Sequence, residues 1–474
     1  MQQKKTNKWV KRMAAGLLVC LLALVLAFAG CAPQGPYVVS VRPGSDGEVI
    51  VEYSDGSITT IEAEQPADPV GVKELYEYYQ QLYGELSYEE FLRMFISADE
   101  GLTDTVINRA ALSCLRVYSE ARETDEEVEG GKDVTISIGS GSIYRMEEEY
   151  TYILTNYHVA LCETANEDND GPAPGIGRKL TAYIYGSESV PQKNTEVKDE
   201  LGYPTYDYGK YAIDCEYLGG TVSLDVAVLR AKTADILAVN PQARAIEWAD
   251  EYHIGETAFT IGNENGKEMT ATRGILSVER EDVDLEIGGV TRTYSLLRMD
   301  TPIYGGNSGG ILFNAEGKAI GVCNAGRTNM DNINFAVPLA TAQNAAENII
   351  DHFSEGSGGA VSVYNVRLGV TVEENNAVFS FDESAGHGHV YADVTVLEVQ
   401  AGSIAAAAGA QAGDIIRAVV VDGEEYTLRR GYEIADILLQ VRAGSSLSLV
   451  LERGGERIEG RNYTVAATDL QVVE

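Results

Sequence analysis

The sequence predicts a mostly β chain: two successive β-barrels, a small β and helical extension before them, and a compact domain after them. Three observations predict it. Short β-forming runs recur between residues 102 and 338, each closed by turn residues. That is the pattern of barrels and sandwiches, not of βαβ units. A helical composition over 340–353 is followed by Ser354-Glu355-Gly356-Ser357-Gly358-Gly359, the start of a flexible linker over 354–363. The 474 residues, 45% of them hydrophobic, supply material for about three domains.

Taken in order, the chain opens with Lys4, Lys5, Lys8, Lys11 and Arg12, then an unbroken apolar or small-residue run over 13–30 that ends at Cys31. Residues 1–30 resemble a bacterial lipoprotein signal, with Cys31 as the lipid-bearing first residue. An uncleaved anchor is the other reading, since about 18 apolar residues can just cross a bilayer. Either way the bulk of the chain lies outside the cytoplasmic membrane, tethered to it. Lys and Arg number 36 against 72 Asp and Glu, a net charge of −36. Such a charge repels phosphate backbones and anionic lipid heads, which excludes nucleic acid and peripheral membrane binding.

Residues 31–65 are the tether and a small β-meander. Alternating residues over 37–63 are broken by Gly44-Ser45-Asp46-Gly47 and Ser54-Asp55-Gly56-Ser57, and Asp-Gly is a hairpin signal. Residues 66–101 form a helical extension. Ser87-Tyr88-Glu89-Glu90 is a capping box that opens a helix through Phe91, Leu92 and Phe95. Tyr76, Tyr78, Tyr79, Tyr83 and Tyr88 give it an aromatic packing face. Strands of a first barrel are expected at 111–118, 134–144, 152–155, 178–185 and 211–218 and around Asp225. Those of a second are expected at 258–262, 272–278, 295–299, 310–313, 319–323 and 334–337. The segments 163–177 and 187–210 read as long loops. A separate domain spans 364–472.

The chemistry centres on Gly306-Asn307-Ser308-Gly309-Gly310. Glycines on both sides of a serine permit a tight bend that brings backbone N–H groups up to a reacting carbonyl. Serine is a poor nucleophile alone and needs a base with something to hold the base. His158, in Thr155-Asn156-Tyr157-His158, and Asp225, ahead of Val226-Ala227-Val228-Leu229, precede it in the order His–Asp–Ser. In this reading His158 is the general base, Asp225 fixes its tautomer, and the N–H groups of Gly306 and Ser308 hold the oxyanion. Each such donor is worth about 2.7–4 kcal/mol of barrier. This chemistry needs no cofactor.

Other candidates are weaker. Cys114, Cys162, Cys215 and Cys323 contain no CxxC pair, so a zinc or thioredoxin-type cysteine site is not expected. Cys162 and Cys215 either bridge or are buried thiols. Asn166-Glu167-Asp168-Asn169-Asp170-Gly171 begins like a calcium loop, but Gly177 stands where the closing glutamate belongs. His387-Gly388-His389 offers only two ligands in a glycine-rich turn, so no metal is expected.

GSGSI at 139–143, TNYHVA at 155–160, SLDVAVLRA at 223–231, IGNENG at 261–266 and MDTPIYGGNSGGIL at 299–312 together resemble the HtrA (DegP/DegS/DegQ-like) family of trypsin-like serine proteases. The resemblance implies a chymotrypsin-like double β-barrel over 102–353 and a following PDZ domain. It also implies endopeptidase activity on unfolded or damaged extracytoplasmic proteins, and a homotrimer. The S1 pocket would be walled by Thr301, Pro302, Ile303 and by Asn324, Ala325, Gly326. None is acidic, so small or medium apolar P1 residues are expected. In the PDZ-like domain, Leu368-Gly369-Val370 resembles the carboxylate-binding loop, and 431–441 the long helix beside a groove for peptide C-termini. The alternatives are a PDZ-shaped spacer without a ligand, and a catalytically silent sensor or chaperone on a protease scaffold.

Overall fold

The computed structural model describes residues 38–43, 49–53, 58–61, 104–187, 190–266, 268–326, 332–354 and 359–473. The signal segment with Cys31, the tyrosine-rich extension 66–101 and most of the Ser-Gly linker lie outside them. The chain divides into two units, residues 1–95 and 96–474. The first contains one antiparallel sheet of β1 (Val38–Pro43), β2 (Val49–Tyr53) and β3 (Ile58–Ile61), in that order.

The second unit begins with α1 (Asp104–Ala111) and then builds two closed barrels. The first barrel uses β4 (Cys114–Thr124), β5 (Lys132–Met146), β6 (Tyr150–Thr155) and β7 (Lys179–Ile184). A short hairpin follows, β8 (Gln192–Lys198) with β9 (Pro204–Asp207), and then β10 (Ile213–Thr221) and β11 (Val226–Lys232) complete the barrel. Its strand order is β10-β11-β6-β5-β4-β7. The interior is filled by Leu115, Val117, Ile143, Ile153, Ala182, Ile184 and Leu229. A one-turn helix, α2 (Tyr157–Ala160), follows β6, and α3 (Thr233–Val239) follows β11.

The second barrel comprises β12 (Thr257–Glu264), β13 (Glu268–Ile287), β14 (Val290–Met299), β15 (Ile311–Asn314), β16 (Ala319–Gly326) and β17 (Asn334–Pro338). Its order is β12-β13-β14-β17-β16-β15. Leu276, Leu297, Met299, Leu312 and Ile320 fill it. Between the barrels Phe259 stacks on Phe313 at 5.2 Å, and both rings are buried. Each such burial is worth about 1.5–3 kcal/mol. The helix α4 (Leu339–Ser354) lays Ala342, Ala345, Ala346 and Ile349 on the same core.

Beyond α4 come β18 (Tyr364–Val366), β19 (Val370–Asp382), β20 (His387–Val399), α5 (Ile404–Ala408), β21 (Ile415–Val421) and β22 (Glu424–Thr427). After them lie α6 (Glu433–Leu438), β23 (Ser446–Arg453), β24 (Glu456–Glu459), β25 (Tyr463–Thr464) and β26 (Leu470–Val472). Most join one sheet along the path β19-β20-β21-β23-β24, which leaves β19 at an edge. Val394, Val396, Ile416, Val419, Leu449 and Ile437 form a core separate from those of the barrels.

This last sheet is fastened to the barrels by buried polar contacts. Asp436 on α6 is buried and pairs with Arg280 of β13. It also accepts a 2.5 Å hydrogen bond from Thr341 Oγ1. Asn348 Nδ2 on α4 donates to the carbonyls of Tyr364 and Leu439 at 2.7 and 2.8 Å. A buried ion pair joined by further hydrogen bonds fixes a geometry more than it adds stability.

Four expectations are corrected. The segment 187–210 is not a plain loop, because it contains the β8–β9 hairpin, tied back by Lys193 to Asp133 at 2.6 Å. The strand expected at 272–278 is the middle of β13, whose far half pairs with β14 as an arm out to Ile287. The helix expected over 431–441 is only Glu433–Leu438. The turn expected to carry His387 and His389 is 383–386, so both histidines stand on β20. Cys162 and Cys215 are not bridged: all four described cysteines are free thiols.

Candidate active site

His158, Asp225 and Ser308 come from three different elements that meet where the barrels face each other. The chain leaves β6 at Thr155 and turns into α2, which presents His158. Asp225 sits just before β11 with φ at +51°, a left-handed conformation uncommon for a side-chain-bearing residue. Strain held at a buried polar residue is a mark of functional sites. Asp225 is fully buried. Its carboxylate accepts from His158 N at 2.9 Å, lies 2.7 Å from His158 Nδ1, and accepts from Asn324 Nδ2 at 2.6 Å. Asn156 Nδ2 holds the Asp225 carbonyl at 2.8 Å. This cage fixes the ring with Nδ1 as donor and leaves Nε2 free to accept.

Burial works to depress the His158 pKa. The charge and hydrogen bond of Asp225, with a smaller contribution from Glu163, outweigh it and carry the value above 6.5.

The Ser308 loop is built on close backbone contacts. Gly306 has φ at +100°, and a Cβ there would fall 2.0 Å from the Asn263 carbonyl oxygen. Gly309 has φ at +84°, and a Cβ would strike the Ser140 carbonyl and Thr155 Oγ1, which places this loop against the one that carries His158. Only glycine fits either position. Ser140 braces the turn three ways: its Oγ donates to the Gly306 carbonyl at 2.7 Å, its N–H donates to the Ser308 carbonyl at 2.8 Å, and its Oγ accepts from Asn263 N at 2.8 Å. The Gly306 and Ser308 N–H groups donate to no acceptor among the described residues.

Ser308 Oγ donates to the Asn324 carbonyl at 2.8 Å, not to His158. Asn324 therefore touches both ends of the arrangement, the hydroxyl through its carbonyl and the Asp225 carboxylate through its amide. The sequence reading made Asn324 a pocket wall and missed this role, because nothing in Asn324-Ala325-Gly326 distinguishes a wall from a brace. Ser140 was legible only as part of GSGSI.

A cleft of about 430 Å³ opens beside His158. Its walls are Ile136, Leu161, Glu163, Leu285, Ile287 and Ala325, among others. The β13–β14 arm reaches this wall, where Gly288 N donates to Glu163 Oε1 at 2.9 Å. Of the six residues expected to form the S1 pocket, only Asn324 and Ala325 line this cleft. Thr301 is a correction: it has no exposed surface, and its Oγ1 donates to the Ala258 carbonyl at 3.3 Å. Ile303 is buried and faces Gly326 across a short gap, while the Pro302 carbonyl accepts from Thr272 Oγ1 at 2.5 Å. In the last sheet Leu368 is buried, Gly369 has φ at +73°, and Val370 opens the edge strand β19. The Leu368 and Gly369 carbonyls accept from Ala405 and Gln400 N–H groups at 2.9 and 2.8 Å.

A trypsin-like peptidase domain model matches residues 139–322, which contain all three candidate residues. The chain is 30% identical over 295 residues to the serine protease Do-like HtrA of Lactococcus lactis subsp. cremoris strain MG1363, covering 60% of each. It is 30% identical over 251 residues to the periplasmic pH-dependent serine endoprotease DegQ of Escherichia coli strain K12, covering 52% of this chain and 50% of that one. The chain carries a trypsin-like peptidase domain and is similar to HtrA-type serine proteases. The chain spans about half to three fifths of the length of these relatives. Among solved structures it is similar to an HtrA-type protease AlgW with decapeptide, at 21% identity and a TM-score of 0.44, covering 78% of this chain and 98% of that one.

Proposed function

We propose that the chain is a serine endopeptidase that cuts unfolded or damaged proteins outside the cytoplasm. The observation that carries this reading is the cage around Asp225. A buried carboxylate that grips both the backbone and the ring of one histidine has a chemical use when that histidine must accept and return a proton.

Ser308 Oγ leaves the Asn324 carbonyl and attacks the peptide carbonyl carbon as its proton passes to His158 Nε2. The Gly306 and Ser308 N–H groups receive the oxyanion, and Asp225 stabilises the imidazolium. His158 then gives the proton to the leaving amine, which departs and leaves an acyl-enzyme on Ser308. Water, deprotonated by His158, attacks the acyl carbonyl, the bond to Ser308 Oγ breaks as His158 returns the proton to that oxygen, and the acid product leaves. The last sheet is proposed to be a PDZ domain that takes peptide C-termini along β19. Cys31 is proposed to carry the lipid tether, and the assembly to be a homotrimer.

The test is digestion of an unfolded protein such as casein by the purified full chain, with cut sites mapped by mass spectrometry. Internal cuts after small or medium apolar residues are expected. An intact substrate would overturn the endopeptidase reading, whereas strict cleavage after Lys or Arg would overturn only the specificity. A pH profile follows from the raised His158 pKa. The base works when neutral, so kcat/KM should fall as pH drops through a value above the ordinary histidine 6.5. Activity still maximal at around pH 4 would remove His158 as the base.

A further inference from the structure

We propose that Glu251, His387 and His389 form a binding site for a divalent transition-metal ion of the zinc class, tying the last sheet to the second barrel. His387 and His389 are two apart on β20, so both side chains leave the same face of the strand. The fold supplies the third ligand, Glu251, from the segment that leads into β12. One donor atom from each of the three lies within 4.8 Å of the others. His389 Nε2 is 3.3 Å from Glu251 Oε2, and His387 Nε2 is 3.7 Å from Glu251 Oε1. A tetrahedral zinc with bonds of about 2.0–2.1 Å needs ligand atoms separated by about 3.3–3.4 Å.

The second observation is the state of His389. It is only 6% exposed, and its Nδ1 lies 2.9 Å from the buried Glu279 Oε1. Glu279 can only accept, so Nδ1 carries a hydrogen, and in the neutral ring Nε2 presents a lone pair. That Nε2 is buried without a hydrogen-bond partner and faces a carboxylate oxygen. Two acceptors turned toward each other call for a cation between them. Glu279–His389 is also the carboxylate–histidine pairing that orients metal-bound imidazoles. His253 stacks on the His387 ring at 4.2 Å and holds its plane. Arg429 Nη1 donates to the same Glu251 Oε2 at 3.3 Å and its Nε to Glu433 at 3.2 Å, so the surroundings carry three carboxylates, Glu251, Glu279 and Glu433, against one guanidinium, a net charge that welcomes a dication. Glu251 is the most exposed of the three, which leaves room for water as the fourth ligand.

The experiment is equilibrium dialysis of the untagged full chain against ZnCl2, with metal counted by mass spectrometry, beside a Co²⁺ titration read in the visible range. One tight ion per chain is expected, with an intense tetrahedral Co²⁺ spectrum. His387→Ala and His389→Ala should each weaken binding at least about 100-fold, and Glu279→Gln by about 10- to 100-fold. His352→Ala on α4, far from the cluster in sequence and not a ligand, should change nothing. Equal Zn²⁺ uptake by wild type and the histidine variants, or only a weak octahedral Co²⁺ spectrum from wild type, would overturn the site. The Co²⁺ spectrum needs no variant, so a variant that fails to fold does not shelter the proposal.

Discussion

Ser308→Ala is expected to lower kcat for peptide cleavage by roughly six orders of magnitude. The loss is that large because in the proposed mechanism Ser308 Oγ alone forms the covalent intermediate, and the other members have no work without it. His158 has nothing to deprotonate in the first step, and Asp225 has no imidazolium to stabilise. Rate enhancement left in the variant would come from the Gly306 and Ser308 N–H groups and from substrate positioning, and is worth about 10³–10⁴ over water. The backbone at 308 keeps its N–H and carbonyl after the substitution, so Ser140 N still holds the loop. Alanine gives up just the Oγ hydrogen bond to the Asn324 carbonyl, so the fold should stand. Casein digestion by the variant would be measured beside fluorophosphonate labelling of wild type. Activity above about 1% of wild type, with no label on Ser308, would end the nucleophile assignment.

How much of this was readable in the sequence varies by element. The three candidate residues were legible because each sits in a local pattern that chemistry demands: glycines around Ser308, a strand end before His158, an apolar strand after Asp225. The two barrels were legible from strand spacing, since alternation with short turns has few other solutions. The full reach of β13 is written in the same way, since Val283, Leu285 and Ile287 turn inward and alternate with exposed Asp282, Asp284 and Glu286, but a strand ended at 278 leaves that half out. The brace from Asn324 to Asp225 was hidden for a different reason: it joins residues 99 apart through side-chain geometry that only the closed second barrel creates. Glu251 beside His387 and His389 is the same kind of case. The two histidines were visible as a pair, but a third ligand on another element cannot be found by spacing.

Asp225→Asn should reduce kcat by about 10⁴-fold, equivalent to about 5.4 kcal/mol of barrier. The carboxylate at this position meets only donors: the His158 N–H, the His158 ring at Nδ1 and the Asn324 amide. An Asn side chain has one accepting oxygen and one donating NH2. Wherever the NH2 lands, it faces a donor. The relief available is for the imidazole to shift its hydrogen from Nδ1 to Nε2, so that Nδ1 can accept. His158 then presents an N–H to Ser308 instead of a lone pair, and general-base catalysis stops. The effect should fall on kcat with little change in KM, because Asp225 is buried and touches no substrate. Folding should be only mildly affected. Asn accepts the left-handed backbone that Asp225 adopts at φ +51°, whereas Ala would add strain and leave buried donors unpaired. Steady-state kinetics on a peptide substrate, with thermal unfolding of the same preparation, separate the two effects. A variant within tenfold of wild-type kcat would mean that Asp225 is a structural cap on β11 and that His158 is held by something else.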